Sequence, residues 1–227
     1  MALDRRQIAL LAVGLLTVTA GCSGGLLSGD GPIEFSASPV SIGDAALQEA
    51  GFEEVETRSV TVNRTVNIQD QERKVIITNH VAGYRLAEGQ QADAPVGVVA
   101  VSTPQAQAFG FALNPVANMG IKDAVNFASQ AGSQFGGELR NVEEVGSWKT
   151  TVLGKETTVT KFGATVERNG QTVDVFVHAT KVKHGDDIVL VVAAYPQALE
   201  EAGAVSQESI APMFEGVEHE TDSEDES

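Results

Sequence analysis

The chain is poor in cysteine and in positive charge. A single cysteine among 227 residues excludes an internal disulfide and a zinc site made of cysteine clusters. Lysine and arginine number 15 against 31 acidic residues, which gives a formal net charge of -16. Because phosphate groups would repel so acidic a chain, we expect no nucleic-acid partner. Apolar residues still make up 42% of the chain, enough to form the core of one or two domains.

The sequence also lacks the local motifs of the common enzyme classes. No P-loop, dinucleotide-binding glycine pattern, kinase set or zincin motif occurs. Residues 21–25 match the G-x-S-x-G pattern of hydrolases, but that pattern needs a strand before it and a helix after it. The four histidines lack metal-ligand spacing, and neighbouring acidic residues on a strand point to opposite faces. We therefore predict no metal, no cofactor and no catalytic residue.

The N-terminus has the three parts of a secretory signal: a basic start, an apolar middle and a small-residue end. Arg5 and Arg6 precede an uncharged stretch over residues 7–21, whose apolar part is shorter than the roughly 20 residues that span a bilayer. The arginine pair resembles a twin-arginine export signal. Residues 19–22 resemble a lipobox, which implies cleavage before Cys22 and lipid on its thiol. The alternative is that Cys22 is an ordinary small residue of the signal.

These features divide the chain into four segments. We expect a signal peptide over residues 1–21 and a flexible lipidated tether over 22–37, because glycine and serine dominate up to Pro32. The folded body is expected over 38–217. Residues 218–227 are acidic and mostly polar, and we expect them to form a disordered tail.

The acidic composition, the export signal and the lipobox together resemble an uncharacterised haloarchaeal lipoprotein family. Molar salt shortens the Debye length to about 3 Å, so a net charge of -16 is tolerable there. The resemblance implies a protein anchored by lipid to the outer face of the cell membrane. A plainer alternative is an acidic surface that only aids solubility.

Hydrophobic patterning within the body predicts alternating strands and helices. Period-two alternation or continuous apolar runs predict six strands, and capping residues with helical spacing predict five helices. The Asn169–Gly170 pair predicts a tight hairpin turn, because a type I′ turn needs positive φ at both positions. The strands are expected at 57–69, 73–86, 96–101, 157–166, 172–183 and 188–194, and the helices at 41–50, from Thr103, at 117–130, 196–201 and 206–214.

The order of these elements repeats along the chain. We therefore predict an α+β fold, in which an antiparallel sheet is built from two similar βββα halves with helices packed on one side. The halves would span about 55–135 and 148–217, although any two meanders followed by helices look alike. His80 and His178 fall at equivalent places, so a pseudo-twofold axis would bring them together. Otherwise they are two half-exposed strand histidines.

Two further residues are candidates for function. Trp148 is the only tryptophan and lies near the junction of the halves, where it would line a ligand groove or fill the core. Asn63 begins an N-x-[ST] sequon on the polar face of its strand, a candidate glycosylation site. Two functional classes stay open: a non-enzymatic module that binds a ligand or partner, and an extracytoplasmic hydrolase with a dispersed active site. The lack of clustered reactive residues favours binding over catalysis.

Overall fold

The computed structural model describes residues 31–68, 71–87, 96–108, 111–131, 138–168 and 170–220. The sequence predictions for Arg5, Arg6, Cys22 and Asn169 lie outside these residues. Gly170, at the expected hairpin, has φ 76°, a left-handed conformation that glycine adopts without strain.

Twelve strands and five helices are described. The strands are β1 (Ile33–Ser36), β2 (Val40–Ile42), β3 (Phe52–Ile68), β4 (Gln71–Leu86), β5 (Gly97–Pro104), β6 (Gln107–Ala108), β7 (Phe111–Ala112), β8 (Leu139–Val152), β9 (Lys155–Arg168), β10 (Gln171–His184), β11 (Asp187–Pro196) and β12 (Val217–His219). The helices are α1 (Asp44–Ala50), α2 (Pro115–Asn118), α3 (Ile121–Ala131), α4 (Gln197–Glu201) and α5 (Gln207–Glu215).

Eight of the strands form one large sheet, and the α+β class predicted from the sequence is confirmed. The sheet runs β3-β4-β5-β11-β10-β9-β8, and β1 adds to β4 in parallel beyond the end of β5. All the other pairings in this sheet are antiparallel. The meander β3-β4-β5 meets the meander β8-β9-β10-β11 where β5 pairs with β11, from Gly97 opposite Ala194 to Pro104 opposite Asp187.

Helices cover both faces of the sheet, so the prediction that they pack on one side was wrong. On β10, Phe176 and His178 face a core that includes α5 residues such as Phe214; we call this side the α5 face. The alternate residues Val175 and Val177 pack with α3 on the opposite side, the α3 face. Helices α1 and α4 also lie on the α5 face. Both faces need cover because β11 is apolar at almost every position.

The folded body extends beyond the boundaries expected from the sequence at both ends. Strand β1 lies within the segment expected to be a tether. It belongs to the body because Ile33 and Phe35, which share one face of the strand, pack against a core on the α3 face. At the other end, β12 pairs with β2 and buries His219. The expected limit at residue 217 therefore falls inside a strand.

Three further differences from the expected secondary structure concern Thr103, strand β8 and helix α1. No helix starts at Thr103, because β5 continues to Pro104 beside β11. Asn114 then caps α2 by accepting a hydrogen bond from the Val116 amide, with Pro115 at the first helical position. Strand β8 was not expected, since it is mostly exposed, lacks a regular apolar alternation, and its pairing with β9 is interrupted twice. Helix α1 is shorter than expected, because Gly43 takes the N-cap position after β2.

Helices α1 and α5 approach closely at Gly216, and this contact gives a testable prediction. A methyl group at Gly216 would lie 2.2 Å from the Ala46 Cβ, so Gly216→Ala overpacks the contact and should lower the free energy of unfolding by about 1–3 kcal/mol. Gly146→Ala is the control, because nothing lies within 4 Å of the added methyl there. Denaturant unfolding of both variants checks this. Equal stabilities would contradict the close approach.

Candidate functional site

Trp148 belongs to a line of polar side chains on the α5 face. Its indole Nε1 lies 3.2 Å from His178 Nδ1, and His178 Nε2 lies 3.0 Å from the Tyr195 hydroxyl. Tyr195 then donates to a Glu200 carboxylate oxygen at 2.7 Å. Strands β8, β10 and β11 and helix α4 each supply one member. We call these four residues, with Lys161, the His178 chain.

Chemistry fixes the direction of every hydrogen bond along the His178 chain. An indole N–H only donates and an ionised carboxylate only accepts. His178 Nδ1 must therefore accept from Trp148, which leaves the ring proton on Nε2 to be donated to the Tyr195 oxygen. The tyrosine proton points to Glu200. Each group is satisfied within the chain and needs no external partner.

Lys161 ends the His178 chain near the surface. Its ammonium group lies 2.7 and 2.8 Å from the two Glu200 oxygens and 3.7 Å from the centre of the Phe176 ring. Burial alone would raise the pKa of Glu200, but the hydrogen bonds from Lys161 and Tyr195 outweigh it and keep that pKa below its usual value. Burial and the bond to Glu200 raise the pKa of Tyr195. Both groups therefore stay in the protonation states that the hydrogen bonds require.

His178 is held in its neutral form. Its side chain is fully buried, and burial followed by the charge of Lys161 lowers its pKa from 6.5 to about 4, against the weaker influence of Glu200. A proton on Nδ1 would also face the Trp148 N–H. At neutral pH the imidazole links the indole to the phenol, and no solvent or substrate reaches it.

A second polar cluster joins the two ends of the body. His219 Nε2 lies 2.9 Å from the Ser102 hydroxyl and 3.2 Å from an Asp187 carboxylate oxygen, which also accepts the Ser38 amide at 2.7 Å. His219 Nδ1 lies 3.0 Å from His184 Nδ1. Burial lowers the pKa of His219, Asp187 opposes that shift, and the neighbouring histidines add to it. We call this group the His219 cluster.

The His219 cluster contains serine, histidine and aspartate but lacks the geometry of a catalytic triad. In a triad the serine and the carboxylate bind opposite nitrogens of the histidine ring. Here Ser102 and Asp187 share Nε2, and the other nitrogen faces His184. Ser102 is also fully buried. The arrangement secures strand β12 and the segment that leads into β2.

The surface next to the His219 cluster forms a shallow depression. It has a volume of about 200 Å³ and is lined by Pro39, Ser41, Glu218, His219 and Glu220. Ligand pockets usually have volumes of about 300–1,000 Å³. Within the described parts of the chain, no three histidine, cysteine or acidic side chains are placed to hold a metal ion. The depression therefore offers little to a small ligand or a metal.

The structure separates residues that the sequence analysis considered together. His80 bonds to Ser59 across β3 and β4, whereas His178 belongs to its own chain. Trp148 does not line the depression; its indole packs edge-on against Phe214 at 5.5 Å. Asn63 is exposed on β3, as its polar face predicted. Tyr195, Glu200 and Lys161 were missed, because they lie on separate elements with no shared motif.

The neutral His178 gives a prediction for stability against pH. Its pKa is about 4 in the fold and 6.5 for an unperturbed histidine, so the unfolded chain binds more protons between these pH values. Stability contributed by this group is complete above pH 6.5 and falls by about 3 kcal/mol as the pH drops to 4. His178→Gln, which does not titrate, should flatten this part of the curve of unfolding free energy against pH.

A second variant separates the effect of burial on the pKa of His178 from the effect of the Trp148 N–H. Trp148→Phe keeps the histidine but removes the N–H that faces Nδ1, so the pKa of His178 in the fold should rise toward 6.5. The loss of stability should still begin near pH 6.5, which the unfolded chain sets, but it should end at a higher pH and be smaller. Denaturant unfolding over the same pH range measures both variants. A curve for His178→Gln that parallels the wild-type curve would show that His178 does not titrate as described.

Comparisons with known proteins place the chain in a family. Among the described residues, no helix is long and apolar enough to cross a lipid bilayer. No curated protein and no solved structure matches the sequence. Residues 39–218 match a family described as a domain of unknown function, DUF6517. This range holds the whole His178 chain and most of the sheet, and His219 lies one residue beyond it. The chain therefore belongs to the DUF6517 family.

Proposed function

We propose that this protein is a lipoprotein, anchored to the outer face of the cell membrane, whose body binds a partner without catalysing a reaction. The anchor rests on Arg5 and Arg6, the apolar signal after them, and Cys22 at its end. The acidic composition supports a halophilic, archaeal origin. The binding role rests on the burial and hydrogen bonding of the polar side chains in the body.

The observation that carries the binding role is the closure of the His178 chain. General bases and acids must reach a substrate proton within hydrogen-bond distance. His178 and Tyr195 are fully buried, and each forms its hydrogen bonds with other members of the His178 chain. The depression beside His219 is smaller than a usual ligand pocket. The accessible surface of the body includes the exposed parts of the edge strands β3 and β8, which suit a macromolecular partner better than a small molecule.

A hydrolase with a dispersed active site is the second candidate. The contacts of Ser102 and Asp187 with His219 favour it, since these residue types form hydrolase triads. The shared nitrogen and the burial of Ser102 count against it. A panel of ester and peptide substrates in molar salt tests it, and turnover that Ser102→Ala abolishes would replace the binding role with catalysis.

We also propose that Asn63 carries a glycan. The side chains of Asn63, Arg64 and Thr65 are exposed on the edge strand β3, so the sequon is accessible in a protein that is exported already folded. Mass spectrometry of the peptide that contains Asn63, isolated from the native host, tests this. An unmodified mass would contradict it.

The two meanders are consistent with an internal duplication, which we propose as their origin. Strands β3-β4-β5 and β9-β10-β11 follow the same order and meet at their last strands. At one offset, Val75, Ile77 and His80 of β4 align with Val173, Val175 and His178 of β10. Superposing the two meanders tests the proposal, and unrelated strand twists and registers would contradict it.

The anchor gives a direct prediction. Cys22→Ser should release the protein from the membrane fraction or leave an uncleaved precursor, because the thiol that carries the lipid is gone. Replacing Arg5 and Arg6 with lysine should block export. Cell fractionation with detection of the body measures both. Unchanged size and membrane attachment of Cys22→Ser would contradict the lipoprotein proposal.

A further inference from the structure

The hairpin of β3 and β4 lies where the chain enters the body from Cys22. Strand β1 runs parallel to β4, with Ile33 beside Val75, and Val75 pairs on its other side with Arg64 of β3. The first residues of the body therefore lie in the same part of the sheet as the far half of this hairpin.

The length of the tether limits which side of the body can face the membrane. Eight residues lie between Cys22 and Gly31, the first described residue, and a glycine-rich chain of that length spans about 16 Å on average. A body of this size is roughly 40 Å across. The side that contains Ile33 is therefore held nearer the membrane than the opposite edge of the sheet, at β8.

The far half of the hairpin presents an apolar and basic surface on the α3 face. Alternation along β3 places Val60, Val62, Arg64 and Val66 on this face, and Arg73 of β4 stands opposite Val66. We call these five residues the hairpin face. Val62 is 40% exposed and Arg64 is exposed, while the other three are half-buried.

The charges on the hairpin face have the opposite sign to the charge of the chain. Acidic residues outnumber basic ones 31 to 15 overall. Over residues 57–68 the only charged side chains are arginines, Arg58 and Arg64; Arg58 pairs with Glu56. The nearby acidic residues Glu34 and Glu72 alternate onto the other face, beside Ile76 and Asn67.

We propose that the hairpin face docks on the anionic lipid surface to which Cys22 tethers the body. The proposal rests on the lipid anchor proposed above. Each basic side chain near an anionic membrane contributes about 1 kcal/mol, and the valines add apolar contact at the headgroup boundary. Docking orients the body so that β8 points away from the membrane.

The single cysteine makes this orientation measurable. If lipid occupies Cys22, a cysteine introduced at Val62 is the only free thiol and can carry an environment-sensitive fluorophore. Val145→Cys is the matched control, because Val145 is an exposed valine on the opposite edge strand, β8. The lipidated proteins are reconstituted in vesicles of phosphatidylglycerol and phosphatidylcholine that carry a quencher in the acyl chains.

The proposal predicts a blue shift and loss of emission for the label at residue 62 and neither for the label at residue 145. Arg64→Glu in the Val62→Cys protein should reduce the quenching, as should vesicles of phosphatidylcholine alone. Lys183→Glu, at an exposed lysine on β10, should leave it unchanged. Circular dichroism melting of each variant confirms that the body is folded.

Two results would overturn the docking face: equal quenching of the two labels, or quenching at residue 62 that neither Arg64→Glu nor neutral vesicles reduce. Failure of the anchor is recognised separately. A thiol at Cys22 that takes up the fluorophore, together with protein that does not float with vesicles, would contradict lipidation itself.

Discussion

The pairing of β5 with β11 is the constraint on which the rest of the structure depends. It joins two meanders that would otherwise be separate small sheets, and it buries a strand that is apolar at almost every position. A strand buried on both sides needs cover on both faces, which α5 and α3 provide. The two edges of the sheet are left to β3 and β8, with no described strand beyond them.

The burial of β10 and β11 between the two helical layers makes His178 and Tyr195 inaccessible. Tyr195 lies near the end of β11, where its hydroxyl donates a hydrogen bond to Glu200 of α4. His178 on β10 then needs a donor for its second nitrogen, and Trp148 supplies it from β8. An unsatisfied polar group buried here would cost about 1–3 kcal/mol, so the chain is stable only as a complete unit. Buried hydrogen bonds of this kind stabilise one fold more readily than they act on a substrate.

The fold was predictable where one physical signal dominated. Alternation of valine with polar residues located β3, β4, β9 and β10, and continuous apolar runs located β5 and β11. A strand buried on one face alternates apolar and polar residues, and a strand buried on both faces is apolar throughout. Strand β8 was missed because an edge strand needs few apolar residues, and its glutamates conceal the alternation. Pro104 resembled a helix start, but its position beside Asp187 is set by a pairing distant in sequence.

The candidate site was far less predictable. Trp148 and His178 drew attention as single residues, but nothing local relates them to each other or to Glu200. Their contact depends on the register between the four strands β8 to β11 and on the start of α4. A sequence can specify such a register through its buried residues without displaying it as a motif. The hairpin face could be identified only once the register of β1 against β4 was known.

Every group of the His178 chain is hydrogen-bonded within it, and the chain stabilises the fold. Modification of histidines by diethyl pyrocarbonate at neutral pH, mapped by peptide mass, tests it most directly. Half-exposed His80 should react while the protein is folded, and fully buried His178 should react only after unfolding. Reaction of His178 in the folded protein at the rate of His80 would contradict the account, because it would show an accessible imidazole free to act on a substrate.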